Sequence, residues 1–434
     1  MKHKGSLTRV YLFVLFVLLP LDWFTPTGKL LREFGAKPAA PLLVLGSLFI
    51  FLFRSDSIRS LSRSTYRVSL CLACIFLLGT FGFWLNLIFD WSGQGRSKTP
   101  IFQFSTQAAL FVAFSVAVIA HSQLFTKAQW RTFTLSILPL VILIHLAVFF
   151  LDATGIVSHA QGWLALFRNG AGLNFDRPSG LMSEPSYFGA FAAMYGLPLL
   201  TIRSPSKRAT RWVLASLVFT MAIIIRAKTF VPVIGLECIM LMWVRGRPAI
   251  RLKYVCLGAL FLTAALYMII SNATFDMQEN LSSAMRLGST ELAFNVADHG
   301  YGLTGIGFGQ FHFFYRAQYA PHFLFVSQEA QDQMTGSAES RASTYNLYVR
   351  LLVETGILGL TCFLALIYRS LRDIRSDYRP TTLFGVLLTA GSLGFLLTQD
   401  TYFYPPLAVG LAWLLGCATD WSSEIHPNES QVHN

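Results

Sequence analysis

The chain has 434 residues, of which 54% are hydrophobic and only 13% charged, and its mean hydropathy is +0.52. A water-soluble domain of that length has too little interior to hide so much apolar side chain, so an ordinary soluble fold is excluded and lipid becomes the missing solvent. The formal net charge of +12 raises nucleic acid as a partner, but the 34 Lys and Arg cluster between apolar stretches, which argues for orientation in a membrane instead.

Taken in chain order, apolar segments of about 15 to 25 residues, the length that crosses a bilayer as helix, run approximately over 10–24, 38–53, 68–89, 101–125, 132–151, 185–202, 212–226, 229–244, 254–270, 344–368, 382–398 and 403–419. They predict an all-α, polytopic integral membrane protein with about 12 transmembrane helices, built as a single membrane domain over residues 1–434. The first segment, Val10 to Phe24, lacks a small-x-small cleavage site and is read as a span, not a signal peptide.

With the N-terminus in the cytoplasm, the cytoplasmic segments hold 21 of the 34 Lys and Arg. The most basic short loops, such as Arg54/Arg59/Arg63/Arg67 and Arg369/Arg372/Arg375/Arg379, then share one side. The basic balance therefore reports orientation and anionic lipid. Six cysteines lie in apolar stretches, and the Cys71/Cys74 pair has no second pair or nearby His, so packing is favoured over redox or metal chemistry. Two extracytoplasmic connections, 152–184 and 271–343, are too long to be turns, and long loops in compact architectures are usually functional. No internal repeat marks a two-half transporter.

Four constellations carry candidate chemistry. The first runs from Arg168 through Arg177-Pro-Ser-Gly to Ser183-Glu184-Pro-Ser186 at the entry to the sixth span; Pro185 suits a first helical turn and would hold Glu184 at a helix N-terminus near Arg177. An interfacial ion pair is the competing reading. The second, Arg226-Ala-Lys228, lies in the minimal connection between spans seven and eight, where cations at membrane depth mark ion or substrate sites unless they snorkel to the headgroups. Glu237, deeper in span eight, is left without a role.

The third pairs Arg286 with Gly300-Tyr-Gly302-Leu-Thr-Gly305-Ile-Gly307-Phe-Gly309. It matches GxGxxG but follows no strand, so a dinucleotide fold is rejected and the glycines are read as turning the backbone back towards the membrane. The fourth, Tyr345-Asn346 with Arg350 and Glu354, places Asn346, Arg350 and Glu354 in one polar row of a helix, where the last two can neutralise each other. The histidines lack metal-ligand spacing, and no metal or cofactor is assigned. No hydrolase elbow or P-loop is present, so an activated substrate must supply the energy.

In this order the motifs resemble the O-antigen polymerase and O-antigen ligase superfamily of bacterial membrane glycosyltransferases, especially its Wzy-type polymerase branch. The resemblance rests on Arg177-Pro-Ser-Gly with Ser183-Glu184-Pro-Ser186, the Arg226 turn, Arg286 ahead of Gly305-Ile-Gly307-Phe-Gly309, and Tyr345-Asn346 ahead of Gly356-Ile-Leu-Gly359, across roughly residues 70 to 400. The ligase branch has His-Asn where this chain has Tyr345-Asn346, which favours a polymerase.

The resemblance implies a multi-pass protein of the bacterial inner membrane, working on its extracytoplasmic face. Its substrate would be an oligosaccharide repeat on undecaprenyl diphosphate, with a chain-length regulator as a further partner and no nucleic acid. It implies that Arg177, Arg226 and Arg286 stabilise the departing diphosphate without a metal and that Glu184 acts as general base. Lys228, Arg168, Tyr345, Asn346 and Arg350 would then bind substrate. A ligase of the same fold, a transporter or flippase of lipid-linked oligosaccharide, and a non-catalytic scaffold stand as alternatives.

Overall fold

The computed structural model describes residues 2–31, 36–53, 62–89, 99–156, 163–167, 178–201, 208–227, 229–245, 281–314, 344–374 and 379–425. All regular structure among them is helical. The long elements are α1 (Lys2–Leu18), α2 (Thr25–Leu31), α3 (Ala39–Phe53), α4 (Arg63–Phe89), α5 (Pro100–Phe125), α6 (Ala128–Ala153) and α7 (Pro185–Thr201). They continue with α8 (Arg208–Ile224), α9 (Phe230–Arg245), α10 (Leu281–Val296), α11 (Leu347–Arg372), α12 (Pro380–Phe395) and α13 (Pro405–Ile425). Of these, α4, α5, α6 and α11 are long and apolar enough to cross a membrane by themselves, and several shorter helices are also apolar.

Local sequence accounts for the helix starts. Proline is the first residue of α5, α7, α12 and α13, where its fixed φ suits the first turn and its missing N–H leaves nothing unsatisfied. The Thr99 hydroxyl caps α5 by accepting from the Phe102 N–H at 3.2 Å. The first predicted span is corrected: its helix runs Lys2–Leu18, not 10–24, and the chain turns at Leu19 and Pro20. Proline disfavours helix at the residue before it and donates no bond, which ends α1 there. The predicted span 254–270 lies outside the described residues, while the other predicted spans each fall on a helix.

Helices already in lipid gain little from hiding apolar surface from one another, so close packing must hold them together. Trp413 of α13 is fully buried against Phe125 and Phe384, with ring centroids 4.8 Å away in each case, and its Nε1 donates to the Thr381 carbonyl at 2.7 Å. Small residues bring the backbones together: a methyl on Gly394 of α12 would meet Pro232 and Val233 of α9 at 2.8 Å.

The segment 305–309 lies buried inside this bundle. Gly82 of α4 approaches the Gly305 carbonyl so closely that a methyl would sit 2.8 Å from it, and Gly307 faces the Phe83 backbone. The Phe308 ring covers Gly79 and packs on Phe111 and Tyr402, with centroids 5.4 and 5.1 Å away. Gly79 is ten residues before the end of α4, so the segment reaches roughly 15 Å along the bundle from that end.

Backbone buried so deeply needs partners, and α11 supplies them by breaking at Gly356 (φ 70°, ψ 179°). Across the break, the Ile306 and Gly307 N–H groups donate to the Val353 and Glu354 carbonyls at 2.9 Å, and the Ile357 N–H donates to the Gly302 carbonyl at 2.8 Å.

Gly307 and Gly300 both hold positive φ (97° and 102°), but only Gly307 is hemmed in, while the space around Gly300 is open. Gly300→Ala is expected to cost about 1–2 kcal/mol for the backbone alone. Gly307→Ala should cost a further ~1–3 kcal/mol for overpacking. Thermal unfolding of the two variants in the same detergent measures the difference, and equal midpoints would contradict the buried path of 305–309.

Candidate functional site

Two sequence-predicted residues stand out by backbone conformation. Arg226 and Tyr345 are the non-glycine residues at positive φ among those described, each at 52°. Such conformations persist only where the surroundings enforce them, and they gather at functional sites.

The Arg226 turn follows α8 and packs on the start of α7. Thr229 Oγ1 donates to the Ser186 carbonyl, and a methyl on Gly189 would meet Ala227 and Thr229. The turn thus lies against the first residues after Glu184. Arg226 is exposed, and Glu184 is half-buried with one carboxylate oxygen accepting from Ser186 Oγ at 3.1 Å. Asp22, beyond the end of α1, accepts from both the backbone N–H of Ser183, at 2.9 Å, and its hydroxyl.

Tyr345 brings in α10. Its ring lies under the Arg286 guanidinium, 5.6 Å from the ring centroid. Burial pushes the Tyr345 hydroxyl above its ordinary range, with Asp400 adding to that shift and Arg286 opposing it. Tyr187, on the first turn of α7, is within electrostatic reach of Asp22, Glu184, Tyr404 and Arg286 together. The structure therefore brings Glu184, Arg226, Arg286 and Tyr345 to one end of the bundle. Arg168, Arg177 and Lys228 lie outside the described residues.

The remaining two predicted residues have structural partners. The Asn346 side-chain oxygen caps α11, accepting from the N–H groups of Tyr348 at 2.9 Å and Val349 at 3.3 Å. Arg350 is buried: its Nε is 3.3 Å from Glu354 Oε1, its Nη1 donates to the Asp400 carbonyl at 2.8 Å, and its guanidinium lies 4.5 Å from the Tyr402 ring centroid. Glu354 Oε2 accepts from the Tyr402 hydroxyl at 2.6 Å and from the Gly309 N–H at 2.9 Å. By contrast, neither Arg226 nor Arg286 has a carboxylate partner among the described residues.

Sequence reasoning passed over Asp22, Asp400 and Tyr402. Asp22 fell within an apolar run taken as the first span, and Asp400 and Tyr402 in the short connection 399–402 between two spans. The signal available was the polar and aromatic run Asp400-Thr-Tyr402-Phe-Tyr404, dense for so short a connection.

Fold and site together define a class: an all-helical protein with apolar helices of membrane-crossing length and a charged, aromatic site at one end of the bundle. The chain matches no family model, no curated protein and no solved structure.

Removing one member of a buried ion pair strands the other, which costs about 3–5 kcal/mol. Glu354→Ala and Arg350→Ala should each lose stability on that scale, and the double variant should lose clearly less than the sum. Strict additivity in a denaturation series would contradict the pairing.

Burial pushes the Asp22 carboxyl up from 3.8 to about 6, outweighing the two Ser183 donors that pull it down. The folded state then holds this proton more tightly than the unfolded chain, so its stability contribution is present below pH about 4 and is lost as pH rises through about 6. The midpoint of the wild-type protein should fall relative to Asp22→Asn across that window. A gap independent of pH would contradict the shift.

Proposed function

We propose that this protein is a membrane glycosyltransferase that polymerises oligosaccharide repeat units carried on undecaprenyl diphosphate into O-antigen or exopolysaccharide. In this reading about 12 spans cross the bacterial inner membrane, the loops 152–184 and 271–343 face outward, and the charged end of the bundle lies at the outer surface. The observation that carries it is the convergence of Glu184 with Arg286, Tyr187 and Tyr345 beside the strained Arg226 turn.

The chemistry suits these groups. The acceptor hydroxyl oxygen bonds to the anomeric carbon while the bond from that carbon to the diphosphate oxygen breaks, and the electron pair leaves with the diphosphate. Glu184 takes the hydroxyl proton. Guanidinium groups of Arg226, Arg286 and Arg177 meet the leaving charge with paired, charge-assisted hydrogen bonds. Tyr345 presents an aromatic face to a sugar and holds Arg286 in place.

A ligase of the same superfamily is the nearest alternative, and Tyr345 in place of the ligase histidine counts against it. A transporter or flippase of lipid-linked oligosaccharide is the second reading, favoured by one observation. Glu237 in α9 is fully buried against Gly391 and Met194, and neither carboxyl oxygen has a hydrogen-bond partner among the described residues. Ionisable groups so placed mark transport pathways.

Deleting the gene separates these readings. Loss of a polymerase leaves single repeat units at the surface, loss of a ligase leaves polymer on the lipid carrier, and loss of a flippase strands repeats in the inner leaflet. We expect single units, and complementation with Glu184→Gln, Arg226→Ala or Arg286→Ala to restore little or no polymer. Normal chain lengths from Glu184→Gln and Arg286→Ala at equal expression would overturn the proposal.

A further inference from the structure

Glu184 enters the site on the turn 179–183, and two carboxylates from elsewhere in the chain set the course of that turn. Asp152, in the last turn of α6, takes the beginning: its Oδ2 accepts from the Ser179 and Gly180 N–H groups at 2.8 and 2.9 Å. Asp22 takes the end, with one oxygen accepting from the Ser183 N–H and the other from the Ser183 hydroxyl. Pro185 then starts α7, so Glu184 sits between a clamped residue and one whose φ is fixed.

Asp22 is a costly choice for a clamp. It is only 8% exposed, and burying a carboxyl group is unfavourable unless its oxygens are satisfied. The two Ser183 donors reach different oxygens of Asp22; a carboxylate offers both as acceptors, whereas an amide would put an NH2 donor in place of one of them.

The same carboxyl group borders a cavity of about 10 Å³, shared with Lys37, Tyr187 and Tyr404, which has room for about one water molecule. The Lys37 ammonium, which also lines this cavity, lies 5.5 Å from the centroid of the Tyr404 ring. Asp22 and Ser183, 161 residues apart in sequence, are held together by the bonds between them.

We infer that Asp22 is the positioning residue for Glu184: through Ser183 it fixes where the Glu184 carboxylate stands relative to the acceptor hydroxyl, without touching substrate itself. This rests on the reading of Glu184 as the proton acceptor. Misplacing a catalytic group by about 1 Å can cost on the order of a hundredfold in rate, so a clamp one residue away acts on turnover more than on binding.

The test is a kinetic cycle on the full-length protein in nanodiscs, with undecaprenyl-diphosphate-linked repeat units as substrate. Asp22→Ala should lower kcat roughly tenfold with KM within about twofold, because binding is left in place. Added to Glu184→Gln it should lower kcat no further, since a group acting through Glu184 has nothing left to position. A purely structural role would instead subtract the same factor in both backgrounds.

Ser183→Ala removes only the hydroxyl arm and should reduce kcat several-fold with the same dependence on Glu184, and it carries the test if Asp22→Ala fails to fold. Wild-type kcat in folded Ser183→Ala and Asp22→Ala, or an Asp22→Ala effect that persists in full on Glu184→Gln, would overturn the inference. Wild-type turnover in Glu184→Gln would bring down the functional reading beneath it, a result distinguishable from either.

Discussion

Glu354 joins three pieces of chain through one carboxylate. Its carboxylate takes the Gly309 N–H from the segment buried in the bundle, the Tyr402 hydroxyl from the connection between α12 and α13, and the Arg350 guanidinium from its own helix. Arg350 extends the chain of contacts to Asp400, which also accepts from Thr344 at 3.4 Å just ahead of Tyr345. Every one of these groups is costly to bury alone, and together their charges and hydrogen bonds answer one another. Glu354 Oε1 does so through the ion pair with Arg350 at 3.3 Å, and Oε2 through its two donors. The segment 305–309 can lie within the bundle because its backbone finds partners next to the break at Gly356 and at Glu354 itself.

The geometry of the charged end follows from that constraint. Tyr345 is held at positive φ between Thr344, tied to Asp400, and Asn346, which caps α11; its conformation is dictated from both sides. That fixes the ring under Arg286. On the opposite flank the Arg226 turn is held by Thr229 on Ser186, and Glu184 by Ser183 on Asp22. Glu184, Arg226 and Tyr345 thus project from backbone positions that their neighbours determine, the arrangement the proposed reaction would need if its groups are not to reorganise.

The helices were legible in the sequence because apolar runs bounded by prolines and basic clusters encode them locally. Pro100, Pro185, Pro380 and Pro405 each begin a helix. The i, i+4 spacing of Arg350 and Glu354 likewise announced their pairing. What stayed hidden was non-local. Asp22 reads as a blemish in an apolar run until Ser183, far along the chain, donates to it twice. The glycines at 305, 307 and 309 read as a loop turning back to the membrane; their spacing carries no sign that the loop enters between α4, α5 and α11, because the reason for each glycine is a backbone belonging to another helix. The misplaced end of α1 has a local cause, since hydropathy counted Leu19, Leu21 and Trp23 as span and gave too little weight to Pro20.

The arginines separate by what they meet. Arg350 is enclosed by Glu354, Asp400 and the face of Tyr402, so its charge is answered inside the protein and its donors are engaged. It serves the architecture that holds Tyr345 and the 305–309 segment. Arg286 meets an aromatic face, a contact that steadies a guanidinium without neutralising it, and Arg226 is exposed on a backbone conformation that costs free energy to maintain. Among the described residues, Arg226 and Arg286 make no ion pair, whereas Arg350 is answered by Glu354 and Asp400. In the proposed function these guanidinium groups are the ones that meet a lipid-linked diphosphate at this end of the bundle.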